Sequence, residues 1–423
     1  MKFSIVIPVR NAANTIRATL ESCLYSDYED FEIVVHDNAS TDTTKEIVNS
    51  FKNSKLVLSE NESALYITDN WNEALNNATG DYVIFLGADD AIRKSTLKKL
   101  SSALDSHQVD SIKWSHAIYT WPSFGVLEQS NRISIPPITP SQILREVKSH
   151  DGELIDGQLP SLPSIYYGCV SRKLIETIKQ SVKFFDSRSP DLYNAILMSY
   201  FTNEYLYLED CLTVTGLSAS SSGTAQLSQA PSLEGIRNDL STLLESSQVR
   251  SSKEVPPVDL FAAWVMDCIL IIEKQLKINR HSTLITPEHI GALIKKEIQR
   301  FGGVNSGHQK ILVDWYLENG LSVDFDLTLP TFRAHRTLNP FPSSTEDLKI
   351  GQFYSLEATQ FGIMDVFQAA KFIDAVETIY PILNLDQREL EGRTQAYEIL
   401  LDDLKEEVVS LRKQISDNSK PDF

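Results

Sequence analysis

The chain has 423 residues, with 39 Lys and Arg against 57 Asp and Glu, and a formal net charge of -18. This length exceeds a usual single core, so we expect two or three domains, one catalytic and the others accessory. The acidic surface repels polyphosphates and therefore disfavours non-specific binding of nucleic acid.

The cysteines and the apolar segments indicate the cellular compartment of the protein. No CxxC pair occurs, so free buried thiols in a reducing, cytoplasmic compartment are expected for Cys23, Cys169, Cys211 and Cys268. The apolar run at 3–8 lacks a cleavage site and predicts a first strand rather than a signal peptide. The stretch 261–272 contains Asp267 and is shorter than the roughly 20 residues of a membrane span. It predicts a buried helix, and peripheral contact with the inner face of a membrane stays compatible with it.

The first 120 residues alternate strand-like and helix-like segments, which predicts an α/β unit with a mostly parallel sheet flanked by helices. Strands are predicted at 3–9, 31–37, 55–59, 81–86 and 110–118. Helices are predicted at 13–25, 43–52, 66–78 and 95–104. A capping box of Thr43 and Glu46 is expected to open the second helix. Ligands of such sheets bind at the carboxyl ends of the strands.

Polar residues follow the first two predicted strands. Pro8, Arg10 and Asn11 come after the first, and Asp37 and Asn38 come after the second. Taken singly, these residues favour an ordinary strand exit with helix caps. Together at one edge of the sheet they also suit a ligand pocket, and both interpretations stay open.

Two adjacent acids, Asp89 and Asp90, follow the fourth predicted strand. Neighbouring carboxylates at the end of a buried strand repel each other unless a cation compensates their charge. Mg²⁺ or Mn²⁺ held by one or two carboxylates completes its coordination with phosphates and water. The pattern favours a metal and diphosphate site. The alternative is a solvated turn that caps the next helix.

The rest of the chain divides into a loop-rich region and a mainly helical region. A proline-rich tract and the serine-rich segment 216–232 suggest boundaries that give domains at 1–225, 226–385 and 386–423. The last one carries a short heptad seam formed by Leu390, Thr394, Tyr397, Leu401, Leu404, Val408, Leu411 and Ile415. This seam predicts either a terminal helix packed on its own domain or a coiled coil that makes a homo-oligomer.

Three motifs in order, FSIVIPVRNAANTI, FEIVVHDNASTDTT and NWNEALNNATGDYVIFLGADDAI, resemble the family-2 glycosyltransferases of the GT-A fold. A more diffuse likeness continues to about residue 225, and the helical region is not covered. The resemblance implies an inverting transferase that moves a sugar from a nucleotide-sugar donor, with UDP expected, to a glycan or lipid-linked acceptor. Polysaccharide biosynthesis is the common setting of the family.

The resemblance also implies roles for individual residues. The nucleotide-sugar contacts of the family map to Pro8, Arg10, Asn11, Asp37, Asn38, Asn70, Asn72 and Asp89. Asn38 stands where a second acid is common, which bears on the identity of the base. In the family's D-x-D-D metal motif, Gly87 replaces the first acid, whereas Asp89 and Asp90 remain as ligands for Mn²⁺ or Mg²⁺.

The segment 184–193 resembles the later family motif in which an acid before a helix acts as general base. Asp191 matches that base, although Pro190 replaces the neighbouring acid. Asp191 would take the proton of the acceptor hydroxyl, and the alternative is a first-turn acid that stabilises its helix. The competing carboxylates are Asp186, Glu209 and Asp210. The segment 216–223 is either a linker or a loop that closes over the diphosphate.

Two other functions fit parts of the pattern. A sugar-phosphate nucleotidyltransferase also joins a nucleotide domain to a metal, but it carries a glycine-rich basic loop where this chain has Arg10-Asn11-Ala12-Ala13. A non-catalytic scaffold that binds a nucleotide or glycan would suit the missing acids. Zinc hydrolases, P-loop enzymes and GxSxG hydrolases are excluded because their motifs do not occur.

Overall fold

A computed structural model describes most of the chain. The described residues are 1–122, 132–135, 144–148, 162–202, 204–222, 225, 234–279, 281–301, 304, 306–327, 354–358 and 363–379. The predicted heptad seam and the third predicted domain lie outside them.

The described residues form a mixed α/β structure followed by helices. The strands are β1 (Phe3–Val9), β2 (Phe31–Asp37), β3 (Leu56–Glu60), β4 (Tyr82–Phe85), β5 (Ala91–Ile92), β6 (Ser111–Thr120), β7 (Arg132–Ile135), β8 (Leu144–Lys148), β9 (Gly168–Ser171), β10 (Glu204–Leu217) and β11 (Tyr354–Glu357). The helices are α1 (Ile16–Leu24), α2 (Thr44–Ser50), α3 (Ile67–Asn76), α4 (Thr96–His107), α5 (Arg172–Lys179), α6 (Pro190–Phe201), α7 (Glu234–Ser246), α8 (Phe261–Leu276), α9 (Pro287–Phe301), α10 (Ser306–Glu318) and α11 (Val366–Ile379).

The N-terminal half is a parallel sheet centred on β1. Strand β1 pairs in parallel with β2 on one side and with β4 on the other, and β2 pairs in parallel with β3. Each parallel connection needs a crossover, which α1, α2 and α3 supply. Strand β2 is buried along its whole length because helices cover both faces of the sheet. The α/β class predicted from the sequence is confirmed. The five predicted strands correspond to β1, β2, β3, β4 and β6, and the four predicted helices to α1, α2, α3 and α4, whereas the short β5 was not predicted.

Beyond β4 the sheet continues in mixed directions. The strand order is β11-β7-β6-β9-β4-β1-β2-β3, and β10 pairs in parallel with β6 and antiparallel with β5 and β8. Strand β5 follows the acidic turn directly, so its ladder with β10 brings a later part of the chain beside that turn. This pairing positions the site described below.

The predicted capping box at the start of α2 is wrong. The side chain of Thr43 makes no capping hydrogen bond. Instead, Asp42 Oδ1 accepts a hydrogen bond from the backbone nitrogen of Thr44 at 3.0 Å. A carboxylate at this position interacts more strongly with the free N–H groups and the positive end of the helix dipole than a neutral hydroxyl does.

Two large cores lie on the two faces of the sheet. One contains residues of α1 and α4 with strand residues such as Ile5 and Ile33. The other joins strand residues such as Val6 and Phe85 to α3 and α6, and continues without a break into α8, α9 and α10. The helical region therefore packs directly on the sheet. The domain boundary at residue 225 stays a prediction.

Helix α8 is the buried helix predicted from the apolar stretch, and its Asp267 is only 5% exposed. Across the described ranges, no helix combines the length and the apolar character that crossing a membrane requires. All four cysteines are free and buried, as predicted.

Gly168 of β9 is a position where a side chain should destabilise the sheet. A Cβ atom there would lie 2.0 Å from the carbonyl oxygen of Ser164 and 2.8 Å from that of Ile112, and backbone atoms cannot rotate away. We expect Gly168→Ala to lower the free energy of unfolding by about 3 kcal/mol in urea denaturation.

Gly235 in α7 is the matched control, because its Cβ would meet nothing within 4 Å. Alanine favours a helix over glycine, so Gly235→Ala should keep or slightly raise the stability. Equal stability of the two variants would contradict the packing described for β9.

Candidate active site

The acidic turn between β4 and β5 is held by the surrounding protein. Asp90 is buried, and its Oδ2 accepts hydrogen bonds from the backbone nitrogen of Gly87 at 3.1 Å and from the Tyr166 hydroxyl at 2.7 Å. Its Oδ1 accepts a hydrogen bond from the backbone nitrogen of Gly216 at 2.7 Å. Three donors therefore fix the orientation of the Asp90 carboxylate.

Asp89 is partly exposed and is held from the other side. Its Oδ2 accepts a hydrogen bond from Ser218 Oγ at 2.6 Å, and its backbone oxygen accepts one from the indole nitrogen of Trp121 at 3.1 Å. Since Asp89 keeps access to solvent, it is the acid that a ligand can reach more directly.

Burial disfavours the charged form of both carboxylates. Burial raises the pKa of Asp89 above its usual range, and the neighbouring charge of Asp90 raises it further. Burial also raises the pKa of Asp90, against the opposing hydrogen bonds from Tyr166, Gly216 and Gly87. Uncompensated negative charge is thus concentrated at the carboxyl end of a central strand, which is the condition that a cation relieves.

Gly87, which replaces the first acid of the family motif, has no room for a side chain. A Cβ atom there would lie 2.7 Å from the Tyr166 hydroxyl and 2.8 Å from Asp90 Oδ2. Tyr166 occupies the space instead. Tyr166 was not predicted as a site residue, because the sequence marks it only as one of an aromatic pair directly before Gly168.

Strand β10 passes close to the acidic turn at Gly216. A Cβ atom at this position would lie 1.9 Å from the backbone oxygen of Asp89. The segment 216–223 was predicted to be either a linker or a diphosphate loop. Its first residues form the end of β10, where Gly216 binds Asp90 and Ser218 binds Asp89. Gly223 lies outside the described residues.

The turns after β1 and β2 are tied together. Arg10 Nη1 donates to the backbone oxygens of Asn38 and Ala39, both at 2.9 Å, and Arg10 Nε pairs with Asp239 of α7 at 3.1 Å. Asn11 has a φ of 51°, and its Oδ1 accepts a hydrogen bond from the backbone nitrogen of Thr41 at 2.8 Å. The predicted nucleotide residues of the two turns therefore form one unit.

Asn38 has a structural reason to be an amide rather than the more common acid. Its Nδ2 donates to the backbone oxygen of Leu65 and its Oδ1 accepts from the backbone nitrogen of Leu65, both at 2.8 Å. A carboxylate could not donate the first of these bonds. The neighbouring Asp37 is 2% exposed and accepts a hydrogen bond from the backbone nitrogen of Ser40 at 3.1 Å.

The two amides of α3 also bind protein groups. Asn70 Oδ1 accepts from Asn61 Nδ2 at 2.9 Å. Asn72 Nδ2 donates to the backbone oxygen of Phe185 at 2.9 Å, and thereby holds the loop that precedes α6. The contact with sugar or diphosphate implied for both amides stays a prediction.

Asp191 lies in the first turn of α6, is partly exposed, and accepts a hydrogen bond from Ser189 Oγ at 2.8 Å. Burial lowers the pKa of Lys113 in β6 to about 8, and the negative charge of Asp191 opposes this shift. Burial and the Lys113 charge lower the pKa of His116 to about 4. The His116 ring stacks on Tyr167 with centroids 4.4 Å apart.

Tyr167 also packs against Tyr166 with ring centroids 4.3 Å apart, and the Tyr166 hydroxyl binds Asp90. The aromatic contacts thus connect His116 with the acidic turn.

The competing carboxylates bind other protein groups. Asp186 is 1% exposed, and its Oδ1 accepts from the backbone nitrogen of Arg250 at 3.0 Å. Asp210 pairs with Lys99 at 2.5 Å, and the side chain of Glu209 lies outside the description. Asp191 differs from Asp186 in being partly exposed, and its role as general base stays a prediction.

A divalent cation fits the acidic turn on chemical grounds. Within the described part of the chain, no three His, Cys, Asp or Glu side chains converge on one point. The protein share of such a site would be Asp89 and Asp90 alone. This suits Mg²⁺ or Mn²⁺, which keep several water or phosphate ligands.

Comparison with known proteins identifies the N-terminal part of the chain. Residues 4–151 match the family model for Glycosyl transferase family 2. The chain is 36% identical over 117 residues to the poly(ribitol-phosphate) beta-N-acetylglucosaminyltransferase TarS of Staphylococcus aureus, which covers 26% of this chain and 20% of TarS. It is 33% identical over 116 residues to the UDP-Glc:alpha-D-GlcNAc-diphosphoundecaprenol beta-1,3-glucosyltransferase WfaP of Escherichia coli, which covers 27% of this chain and 45% of WfaP. The matched segment thus spans less than half the length of either relative.

Solved structures give a weaker likeness. S. aureus TarS 1-349 in complex with UDP-GlcNAc superposes with a TM-score of 0.42 at 20% identity, covering 78% of this chain and 95% of that one. The mannosyltransferase PcManGT from Pyrobaculum calidifontis, in complex with GDP-Man and Mn2+, has a TM-score of 0.38 at 16% identity, covering 75% and 79%.

Asp89→Asn should stabilise the metal-free protein at alkaline pH. The pKa of Asp89 is higher in the folded state than in the unfolded state. The neutral carboxyl therefore costs the folded state nothing at low pH, whereas the ionised form destabilises it as the pH rises through the folded-state pKa. In EDTA at pH 8 we expect the neutral amide to raise the free energy of unfolding by about 1 kcal/mol or more, with little change at pH 4. Calorimetry at both pH values measures this.

Asp324→Asn is the control for that experiment, because Lys295 lowers the pKa of this exposed acid and its shift has the opposite sign. It should give no stabilisation at pH 8. A gain for Asp89→Asn that is equal at both pH values would contradict charge repulsion within the turn.

Asn38→Asp tests the reason for the amide. The new carboxylate restores the common family acid, but it faces the Leu65 carbonyl oxygen without a proton to donate. We expect a loss of about 1–3 kcal/mol in urea denaturation. The exposed Asn77, whose amide donates within its own helix, is the matched site, and Asn77→Asp should cost much less. Equal losses would remove the structural explanation for Asn38.

Proposed function

Because residues 4–151 form a glycosyl transferase family 2 segment, we propose that this protein transfers a sugar from a nucleoside-diphosphate sugar to an acceptor hydroxyl. The observation that carries the proposal is the acidic turn, in which Asp90 is fixed by three donors while Asp89 stays accessible. This turn lies at the carboxyl end of a central parallel strand, where ligands of open α/β sheets bind.

The ends of the neighbouring strands support a position for the donor. Val9 pairs with Asp37 in register, and β4 lies beside β1, so the two tied turns and the acidic turn share one edge of the sheet. We place the nucleotide along Pro8, Arg10 and Asn11 in the turn after β1, and the diphosphate near Asp89. The name of WfaP favours a UDP sugar as donor.

The two acids have different roles in this proposal. Asp89 would be the direct ligand for Mn²⁺ or Mg²⁺, because this residue is partly exposed whereas Asp90 is buried. Asp90 orients the turn through its three hydrogen bonds and adds negative charge beside the ion. The bound cation supplies positive charge that stabilises the departing nucleoside diphosphate.

Asp191 completes the chemistry as general base. It accepts the proton of the acceptor hydroxyl while that oxygen bonds to the anomeric carbon and the bond to the diphosphate oxygen breaks. A single displacement inverts the configuration at that carbon. Ser189 Oγ orients the carboxylate, and Lys113 adds a compensating positive charge in its vicinity. The family resemblance and the name of WfaP favour a glycan or lipid-linked acceptor.

Thermal shift and turnover assays test the proposal together. UDP-Glc, UDP-GlcNAc and GDP-Man are each added with Mn²⁺ or with EDTA. A donor at one hundred times its Kd should stabilise the protein by about 2.7 kcal/mol, and only with the metal. Asp89→Ala should lose this stabilisation. Asp191→Asn should keep it while the transfer rate falls about 10²-fold or more.

Asp314→Asn, at an exposed pair with Lys310 in α10, is the control and should leave binding and transfer unchanged. Turnover that persists unchanged in both Asp89→Ala and Asp191→Asn would refute the site. Pyrophosphate release from UTP and a sugar phosphate would instead establish a nucleotidyltransferase.

A further inference from the structure

Helix α11 packs against the back of the acidic turn, although it lies far along the chain in the predicted accessory domain. Its contacts run to α1, β5 and β10. The small core that it completes contains Ala91 of β5, Val214 of β10 and Trp121, with Val366 and Ile373 from the helix. Trp121 is the residue that donates to the backbone oxygen of Asp89.

A buried charge cluster fixes the helix at this place. Arg93 is 1% exposed, and its Nε and Nη2 donate to Asp374 Oδ1 at 2.9 and 2.6 Å. Its Nη1 and Nη2 also donate to Glu377 Oε1 and Oε2 at 2.5 and 2.7 Å. The Glu377 pair is bidentate and therefore geometrically specific, whereas both bonds to Asp374 end on one oxygen. Removing the two acids would leave a buried cation without compensation.

The same guanidinium is connected to the site through β10. Arg93 Nη1 donates to the backbone oxygen of Cys211 at 2.8 Å, and the Arg93 backbone nitrogen donates to that of Leu212 at 3.0 Å. The ladder continues through Thr213 and Val214, which pair with β5. Two residues further on, Gly216 donates to Asp90.

We infer that α11 is part of the catalytic unit, with Arg93, Asp374 and Glu377 as positioning residues that hold β10 and β5 and thereby orient Asp89 and Asp90. Residues 363–379 then belong functionally with the N-terminal unit and not with the accessory region. The metal-related part of the inference rests on the proposed function. The effect on the backbone of the acidic turn does not.

The main alternative is that the ion pairs only attach α11 to a sheet that is rigid without it. The two alternatives differ in how far the loss of these ion pairs changes the structure. If α11 positions the turn, loss of its acids loosens residues 87–90 and 213–218. If it is only attached, the loosening stops within α11 itself.

Hydrogen exchange on the full-length chain separates these outcomes without any donor. The test variant carries Asp374→Asn with Glu377→Gln, which keeps the side-chain volumes and removes both charges. We expect amides in 87–90 and 213–218 to exchange at least about tenfold faster than in the wild type. Unchanged exchange in both segments would overturn the inference.

A matched control is needed because the test variant also loses stability. Ile294 of α9 is fully buried in the core of the helical region, so Ile294→Val lowers stability at a distance from the cluster. Urea is added to the wild type and to this control until their global stabilities equal that of the test variant. Faster exchange of the two segments in these samples as well would count against a specific positioning role.

A binding measurement extends the test to the metal. The test variant should need about tenfold more Mn²⁺ for half-maximal thermal stabilisation by the donor, while Ile294→Val should need the wild-type concentration. An equal Mn²⁺ requirement in both variants would overturn the metal-related part. If the wild type binds no donor at all, the proposed function fails, and the exchange experiment still decides the role of α11.

Discussion

The structure around the candidate site depends on one electrostatic constraint, the placement of two adjacent carboxylates at the end of a buried strand. Burial raises the pKa values of Asp89 and Asp90, and the charge of Asp90 raises that of Asp89 further, so two negative charges in the turn are unfavourable without compensation. Donors from two distant segments bind the acids, namely Tyr166 from one and Gly216 and Ser218 from the other. These donors orient the acids but bring no positive charge, which leaves the site prepared for a cation and a diphosphate.

The departures from the family pattern follow from local packing. A side chain at position 87 would displace the Tyr166 hydroxyl and the Asp90 carboxylate from their present places. Asn38 replaces an acid because it must both donate to and accept from the backbone of Leu65. Each change removes a negative charge from an acidic edge of the sheet and adds a fixed contact. Neither change therefore argues by itself against a working transferase.

The helical region takes part in the site at two places. On one side, the backbone nitrogen of Arg250 binds Asp186 in the loop that leads to Asp191. On the other side, α11 places Asp374 and Glu377 around the buried Arg93. The proposed base and the proposed metal ligands are thus supported by parts of the chain that lie beyond residue 225.

The sequence by itself determined the parallel α/β unit, the acidic turn and the first-turn acid of α6, because hydrophobic period, strand ends and motif order are local properties of the chain. Only the tertiary structure identified Tyr166 and Arg93, and only it distinguished the fixed Asp90 from the accessible Asp89. Those roles depend on strand pairings and side-chain contacts between segments more than 70 residues apart, such as Tyr166 with Asp90 at a separation of 76. A linear pattern does not encode which distant donor will meet a given carboxylate, since that follows from the packing of the whole sheet.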